Sequence, residues 1–223
     1  MGLGHSPRIV TDGLVLCLDA ANKRSYGGSG TTWTDLKGGN NATLTNSIAF
    51  TSDNSGSFVF DGTDDRIDVP SSSNIVPNGD FSLVFWFYCV STGGSYPRLF
   101  SVGNNDYLEI AVRSNGDVKY YKRNGGGWQT VSLEVLNTSG WNNLVYVRDG
   151  SDDFFYLDSS RIFSSTGGTH PYNANINEYK IGSRYNNSEY FTYGNVSTFI
   201  AYNKALTADE VRQNYLATKE RYA

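Results

Sequence analysis

The sequence predicts an all-β chain, a sandwich or barrel of short strands followed by one C-terminal α-helix. Three observations predict it. Runs rich in Val, Ile, Phe, Tyr and Trp recur with turn residues between them about every 8–12 residues. The run Phe81-Ser-Leu-Val-Phe-Trp-Phe-Tyr-Cys-Val90 is apolar at both phases of a two-residue period, the pattern of a central strand covered on both faces. Helix signals gather only near the C-terminus. The composition agrees: of 223 residues 24 are Gly and 16 Tyr, with 5 Pro, and 14% are aromatic. The length suits one large all-β domain, and no linker, low-complexity tract or internal repeat divides it.

Taken in order, Leu14-Val-Leu-Cys-Leu-Asp19 is a first apolar strand. Ser57-Phe-Val-Phe60 and Arg66-Ile-Asp-Val69 flank the turn signal Asp61-Gly62. The apolar run from Phe81 places Phe81, Leu83, Phe85, Phe87 and Cys89 on one face and Val84, Trp86, Tyr88 and Val90 on the other. Strands at 98–102, 107–113, 118–121 and 128–133 follow, separated by turn clusters. Asn115-Gly116 is the strongest hairpin signal among them, because a type I′ turn needs positive φ at both central residues. Further strands are expected at 144–148, 154–157, 179–181 and 196–202.

Thr207-Ala-Asp-Glu210 forms a capping box, and the acids suit the positive end of a helix dipole, with Lys219 and Arg221 at the other end. The expected helix spans about 207–219, with Val211, Tyr215 and Leu216 as its apolar stripe, and caps one end of the β domain.

Composition excludes several function classes. A net charge of -4 and a pI near 5.1 argue against a duplex nucleic-acid binder. No stretch approaches the ~18 apolar residues of a membrane helix. The N-terminus lacks the basic and apolar regions of a secretory signal. The two cysteines, Cys17 and Cys89, fall in strand-like runs and read as buried hydrophobes, not a disulfide framework. The surface is nevertheless Gly-, Tyr-, Asn- and Ser-rich, as in extracellular β-modules.

Catalytic patterns are sparse. His5 and His170 sit beside prolines in loops, with no second ligand at metal spacing. No nucleophile elbow or phosphate loop is present. A sandwich glycosidase needs two carboxylates across a cleft; Glu109 is the only acid in its strand and Glu134 stands alone. The acidic turns Asp61-Gly-Thr-Asp64-Asp65 and Asp149-Gly-Ser-Asp152-Asp153 read first as turn chemistry. A calcium site on Asp61, Asp64 and Asp65 is the metal alternative. Aromatics with neighbouring amides are the remaining handle. Tyr185, Asn186, Asn187, Tyr190 and Tyr193, with Trp128, Asn104 and Asp106, are the candidate glycan-binding residues, since rings stack on sugars and amides bond hydroxyls. Core packing is expected for Trp33, Trp86 and Trp141.

The order and spacing of several short motifs carry a family resemblance across nearly the whole chain. Thr11-Asp-Gly-Leu-Val-Leu-Cys-Leu-Asp-Ala-Ala-Asn22, Gly30-Thr-Thr-Trp-Thr-Asp-Leu36 and Asn40-Asn-Ala-Thr-Leu44 come first. Phe58-Val-Phe-Asp-Gly-Thr-Asp-Asp65, Trp141-Asn142, Lys180-Ile-Gly182 and Tyr202-Asn-Lys-Ala-Leu-Thr-Ala-Asp-Glu-Val211 follow. Together they resemble concanavalin A-like (laminin G-like) jelly rolls. The opening His5-Ser-Pro-Arg-Ile-Val-Thr-Asp-Gly13 is similar to versions found in structural proteins of tailed bacteriophages, including cyanophages. The resemblance implies a two-sheet antiparallel jelly-roll sandwich with one curved sheet, and carbohydrate or protein binding more often than catalysis. It implies calcium at the sandwich rim in some relatives, without a complete match to that pattern here.

It implies for this chain a non-enzymatic virion protein on the capsid or tail, made in the host cytoplasm and exposed outside the cell. Expected partners are other virion proteins, further copies of the chain and surface glycans. Residues 1–10, with His5, Pro7, Arg8, Ile9 and Val10, are expected to form a docking arm ahead of a domain spanning 11–223. A free lectin is the alternative, and a hydrolase using Glu109 a third reading.

Overall fold

A computed structural model describes residues 7–70, 75–89, 96–103, 108–112, 115–124, 127–134, 136–166, 178–186 and 190–222, without the side chains of 122–124, 127–134 and 178. His5, Asn104, Asp106, His170 and Asn187 lie outside these residues.

The described strands are β1 (Leu14–Asp19), β2 (Thr32–Trp33), β3 (Ala42–Thr45), β4 (Ala49–Thr51), β5 (Ser57–Asp61), β6 (Arg66–Pro70), β7 (Phe81–Cys89) and β8 (Arg98–Val102). They continue as β9 (Leu108–Val112), β10 (Asp117–Asn124), β11 (Gly127–Glu134), β12 (Asn142–Asp149), β13 (Asp152–Leu157), β14 (Ser160–Ser165), β15 (Glu178–Ile181) and β16 (Tyr193–Tyr202), before helix α1 (Ala208–Thr218). They form two antiparallel sheets of eight strands, a jelly-roll sandwich. The first runs β14-β13-β12-β7-β16-β5-β4, with β1 also on β16, and the second β11-β10-β9-β8-β15-β6-β3-β2. No helix among the described residues is long and apolar enough to cross a membrane.

The two-faced apolar pattern of β7 has its predicted cause. Phe81, Leu83, Phe85, Phe87 and Cys89 enter the main core between the sheets. On the opposite face Val84 joins a second cluster with Val145, Ile200, Leu206 and Val211, roofed by α1. Trp86 stacks on Tyr222 at 4.1 Å and donates Nε1 to Thr218 Oγ1 at 2.9 Å. Burying a side chain of Phe or Leu size contributes about 1.5–3 kcal/mol, so the helix layer is part of the fold's stability.

The capping box forms as predicted, Thr207 accepting from the Glu210 amide and Glu210 accepting from the Thr207 amide. Lys219 and Arg221 fall in the 3-10 turn that follows the helix. The stripe differs from expectation. Val211 is buried, but its companions are Asn214 and Thr218, while Tyr215 and Leu216 are half-buried. Asn214 is buried because it is fully engaged: it accepts from the Val10 amide at 2.8 Å and donates to the Tyr202 hydroxyl at 3.1 Å. Tyr202 donates in turn to the Val10 carbonyl at 3.0 Å, and Gln213 to that of Arg8 at 2.8 Å. The described part of the expected arm, Pro7 to Val10, is therefore laid against the domain's own helix.

Both cysteines are buried thiols outside any disulfide, as expected. Gly116 has φ of +94° in the β9–β10 turn. Trp33 and Trp86 are buried, but Trp141 is only half-buried and outside both core clusters, contrary to the core packing expected of it.

The second acidic turn divides. Asp152 is half-buried, whereas Asp153 is buried inside the sandwich. There it accepts from Arg148 at 2.7 Å, the Tyr146 hydroxyl at 2.6 Å and the Tyr120 hydroxyl at 2.8 Å. That turn is a structural clasp rather than a cluster of free ligands.

Candidate functional site

Strand alternation decides what the second sheet shows on its outer face. Phe100, Val102, Leu108, Ile110, Val118 and Tyr120 enter the core. Glu109, Lys119 and Tyr121 are left on the other side, with a register shift between Arg98 and Phe100 at the start of β8. Glu109 is wholly buried there. It is held by two guanidinium groups, Arg98 through Nε to one carboxylate oxygen and Arg184 Nε to the other at 3.0 Å. Arg98 also donates to the Tyr96 carbonyl.

Four tyrosines surround these charges. The Arg98 guanidinium lies 4.5 Å from the ring centroids of both Tyr121 and Tyr190. Arg184 lies 5.3 Å from Tyr185 and 5.6 Å from Tyr190. Lys119 Nζ stands 3.6 Å from the ring of Tyr96, itself edge-on to Tyr121. Cation–π contacts contribute about 0.5–2 kcal/mol each and fix the ring planes. Burial pushes the Tyr121 hydroxyl up in pKa, against the lowering effect of Arg98 and Lys119. The phenol is therefore neutral at physiological pH.

Backbone geometry supports the cluster. Tyr190 has φ of +59°, a left-handed conformation that costs a residue with a side chain about 1–3 kcal/mol. Its carbonyl accepts from the Arg98 amide at 2.8 Å. Thr192 fixes the following residues, donating Oγ1 to the Arg98 carbonyl at 2.8 Å and its amide to Gly182 at 2.7 Å. The result is a patch of half-buried rings in which, among the described residues, three cations stand against one carboxylate. Further along the same face Lys180 and Arg66 both pair with Asp68, at 2.7 and 3.3 Å.

Of the sequence-predicted glycan-binding residues, Tyr185 and Tyr190 come together here, and exposed Asn186 adjoins them. Tyr193 does not. It opens β16 in the other sheet, 45% exposed, opposite Asp61 and against Gly62. Trp128 occupies β11 opposite Arg123, its side chain outside the description. Arg98, Arg184, Tyr96, Tyr121 and Lys119 were missed by the sequence reading. One signal was available, since an acid at the centre of the apolar β9 implies a buried cationic partner.

The carboxylates of Asp61, Asp64 and Asp65 do converge, with ligand atoms within 4.8 Å of one another. Much of their capacity serves the turn. Asp61 accepts from the Thr63 amide at 2.8 Å, Asp65 from the Asp61 amide at 3.0 Å, and Asn46 donates to the Asp64 carbonyl at 2.6 Å. Burial, followed by the nearby Asp61 and Asp64 charges, raises the Asp65 carboxyl against that amide bond. Three carboxylates fit the chemistry of a hard cation but fall short of the 6–8 oxygens calcium takes.

The family described as the concanavalin A-like lectin/glucanases superfamily matches residues 61–212. No curated protein matches the chain by sequence. Among solved structures, a Trypanosoma rangeli sialidase in complex with sialic acid aligns with a TM-score of 0.73 at 16% identity, over 96% of this chain and 34% of that one. The receptor binding domain of botulinum neurotoxin C/D mosaic serotype aligns with a TM-score of 0.74 at 13% identity, over 92% of this chain and 51% of that one. The chain thus spans about a third of the sialidase and half of the toxin domain, and at these identities the likeness is one of fold.

Proposed function

Because this chain belongs to the concanavalin A-like lectin/glucanases superfamily, we propose that it is a non-enzymatic, glycan-binding structural protein of a bacteriophage virion, displayed on the capsid or tail. The observation that carries the glycan reading is the Tyr96, Tyr121, Tyr185 and Tyr190 cluster, held rigid around Arg98 and Arg184. Ring faces offer stacking to sugar C–H groups, and adjoining amides and guanidinium groups offer hydrogen bonds to hydroxyls and carboxylates. The excess of cations over carboxylates among the described residues favours acidic sugars. Glu109 supports binding rather than hydrolysis: a carboxylate engaged by two arginines is neither a free nucleophile nor a proton donor.

The virion reading draws on the phage-like opening His5 to Gly13. Two buried, unbridged cysteines are compatible with assembly in a reducing cytoplasm. A glycan array probed with the isolated protein tests the binding. Retention of acidic glycans is expected, weakened at least tenfold by Tyr185→Ala with unchanged thermal stability; no retention of any glycan defeats the reading.

Removal of residues 1–6 tests docking, because a cut to residue 10 would also strip the buried Val10 from Asn214 and Tyr202. Incorporation of the shortened chain into particles at normal copy number defeats the docking role. A free lectin is the second reading. The likeness to a toxin receptor-binding domain favours it, and absence of the protein from purified particles would decide for it.

A further inference from the structure

Trp141 leaves the core for a reason visible on the outer face of the first sheet. A cavity of about 420 Å³ opens there, with Trp141, Tyr88 and Tyr222 as its aromatic wall and Asn195, Asp53 and Asn54 among its polar groups. The volume lies within the range of small-molecule sites, about 300–1,000 Å³. Trp141 stands 4.9 Å from Tyr222 and 6.3 Å from Tyr88, ring centre to ring centre. Tyr222 is immobilised by the stack on Trp86 and by hydroxyl bonds with Ser197 and Thr198.

The surrounding backbone is equally fixed. The turn carrying Ser139 to Trp141 is locked by Asn142, which accepts from the Asn137 amide at 2.8 Å and donates to the Asn137 and Gly140 carbonyls at 2.9 and 3.1 Å. On the opposite wall Asn54 and Ser55 are both left-handed, with φ of 50° and 71°. Two such residues in succession are costly and raise Asn54 beside the cavity. Asn195 is oriented by its bond from Nδ2 to Ser57 Oγ at 3.1 Å, which leaves its carbonyl oxygen available. Among the described residues, Trp141 Nε1 and the Tyr88 hydroxyl have no hydrogen-bond partner.

We infer that this cavity is a second saccharide site, specific for an uncharged pyranose. The sugar's C–H face lies on the Trp141 ring. Its hydroxyls donate to Asn195 and Asp53 and accept from Tyr88 and Trp141 Nε1. Among the described residues Asp53 is the one charged group lining the cavity, so an acidic sugar is repelled here, the opposite preference to the Arg98 patch. The two sites face away from each other across the sandwich, so this inference stands apart from the function proposed for that patch.

The test uses the full chain labelled with 5-fluorotryptophan, which has four tryptophans, and fluorine NMR with the resonance of residue 141 assigned through Trp141→Phe. The probes are cellobiose, maltose and N,N′-diacetylchitobiose, against N-acetylneuraminic and glucuronic acids. At least one neutral disaccharide is expected to shift the Trp141 resonance saturably, and neither acid to do so. Asn195→Ala should weaken that binding at least fivefold, whereas Tyr185→Ala leaves it unchanged. Absence of any shift with the neutral sugars overturns the inference. So does neutral-sugar binding lost in Tyr185→Ala and kept in Asn195→Ala, an outcome that leaves the Arg98 patch as the sole site. Loss of acidic-sugar binding alone counts against the patch and not against this cavity.

Discussion

The Tyr120 hydroxyl on β10 crosses the sandwich to the buried carboxylate of Asp153 on β13, at 2.8 Å. It is a polar link between two sheets otherwise joined largely by apolar packing. Asp153 also neutralises Arg148, and both side chains are 1% exposed. Breaking a buried pair from one side leaves an uncompensated charge, which costs about 3–5 kcal/mol. Asp153→Ala is therefore expected to lose about that much in urea unfolding. Tyr120→Phe should lose only about 1 kcal/mol, because Asp153 keeps its other donors.

Alkaline pH should destabilise the fold. Burial pushes the Cys17 thiol up to about 12 from 9.0, and Tyr202 and Tyr222 are raised by the same cause. Between those values the unfolded chain releases a proton that the folded chain keeps. Stability is thus fully present below pH 9 and falls as pH rises, by up to about 1.4 kcal/mol per pH unit for each such group. Unfolding curves from pH 8 to 11 check this, and Cys17→Ala should flatten the slope by one group's share.

Gly182 connects the fold to the tyrosine patch. Its φ is +87°, its carbonyl holds the Thr192 amide, and a Cβ there would strike the ring of Phe60. Gly182→Ala must displace a fully buried phenylalanine and strain the backbone together, for an expected loss of about 2–4 kcal/mol. The cation–π contacts of Arg184 should loosen as well, which weaker acidic-glycan retention at a temperature well below unfolding would report.

The Asp61–Asp65 turn offers opposite outcomes with and without a cation. Without metal, Asp65→Asn relieves the charge that burial and its neighbours oppose and keeps an oxygen for the Asp61 amide, so a gain of about 0.5 kcal/mol is expected. If calcium binds, the same change removes a ligand, and the variant melts below the parent once calcium is added. Thermal melts with calcium and with chelator distinguish the two.

What the sequence disclosed followed the range of each interaction. The β7 pattern and the Thr207–Glu210 box are local, and both appear as read. The edge pieces β2, β4 and β14 passed unnoticed because two to six residues with exposed positions carry little period-2 signal. Glu109 was visible as a lone acid, but its partners Arg98 and Arg184 lie 11 and 75 residues away. No local spacing encodes that meeting. Asp153 shows the same gap: its composition read as turn chemistry, while its neutralisation by Arg148 and its bonds from Tyr146 and Tyr120 depend on the assembled sheets. Trp141 was assigned to the core because tryptophan usually is, and only the rings around it reveal the alternative.

β16 binds β7 along one edge and both β5 and β1 along the other. It is also the last strand the chain supplies. Until it emerges during synthesis, the nine-residue apolar β7 has β12 on one side and an open edge on the other. The first sheet is therefore completed only once residues 193–202 have emerged, by contacts reaching back as far as β1. Such topology folds slowly and leaves a sticky edge exposed while it waits. A nascent chain stalled before residue 193 would be a species prone to aggregate, and high yield from a host cell would depend on keeping β7 sheltered until β16 arrives.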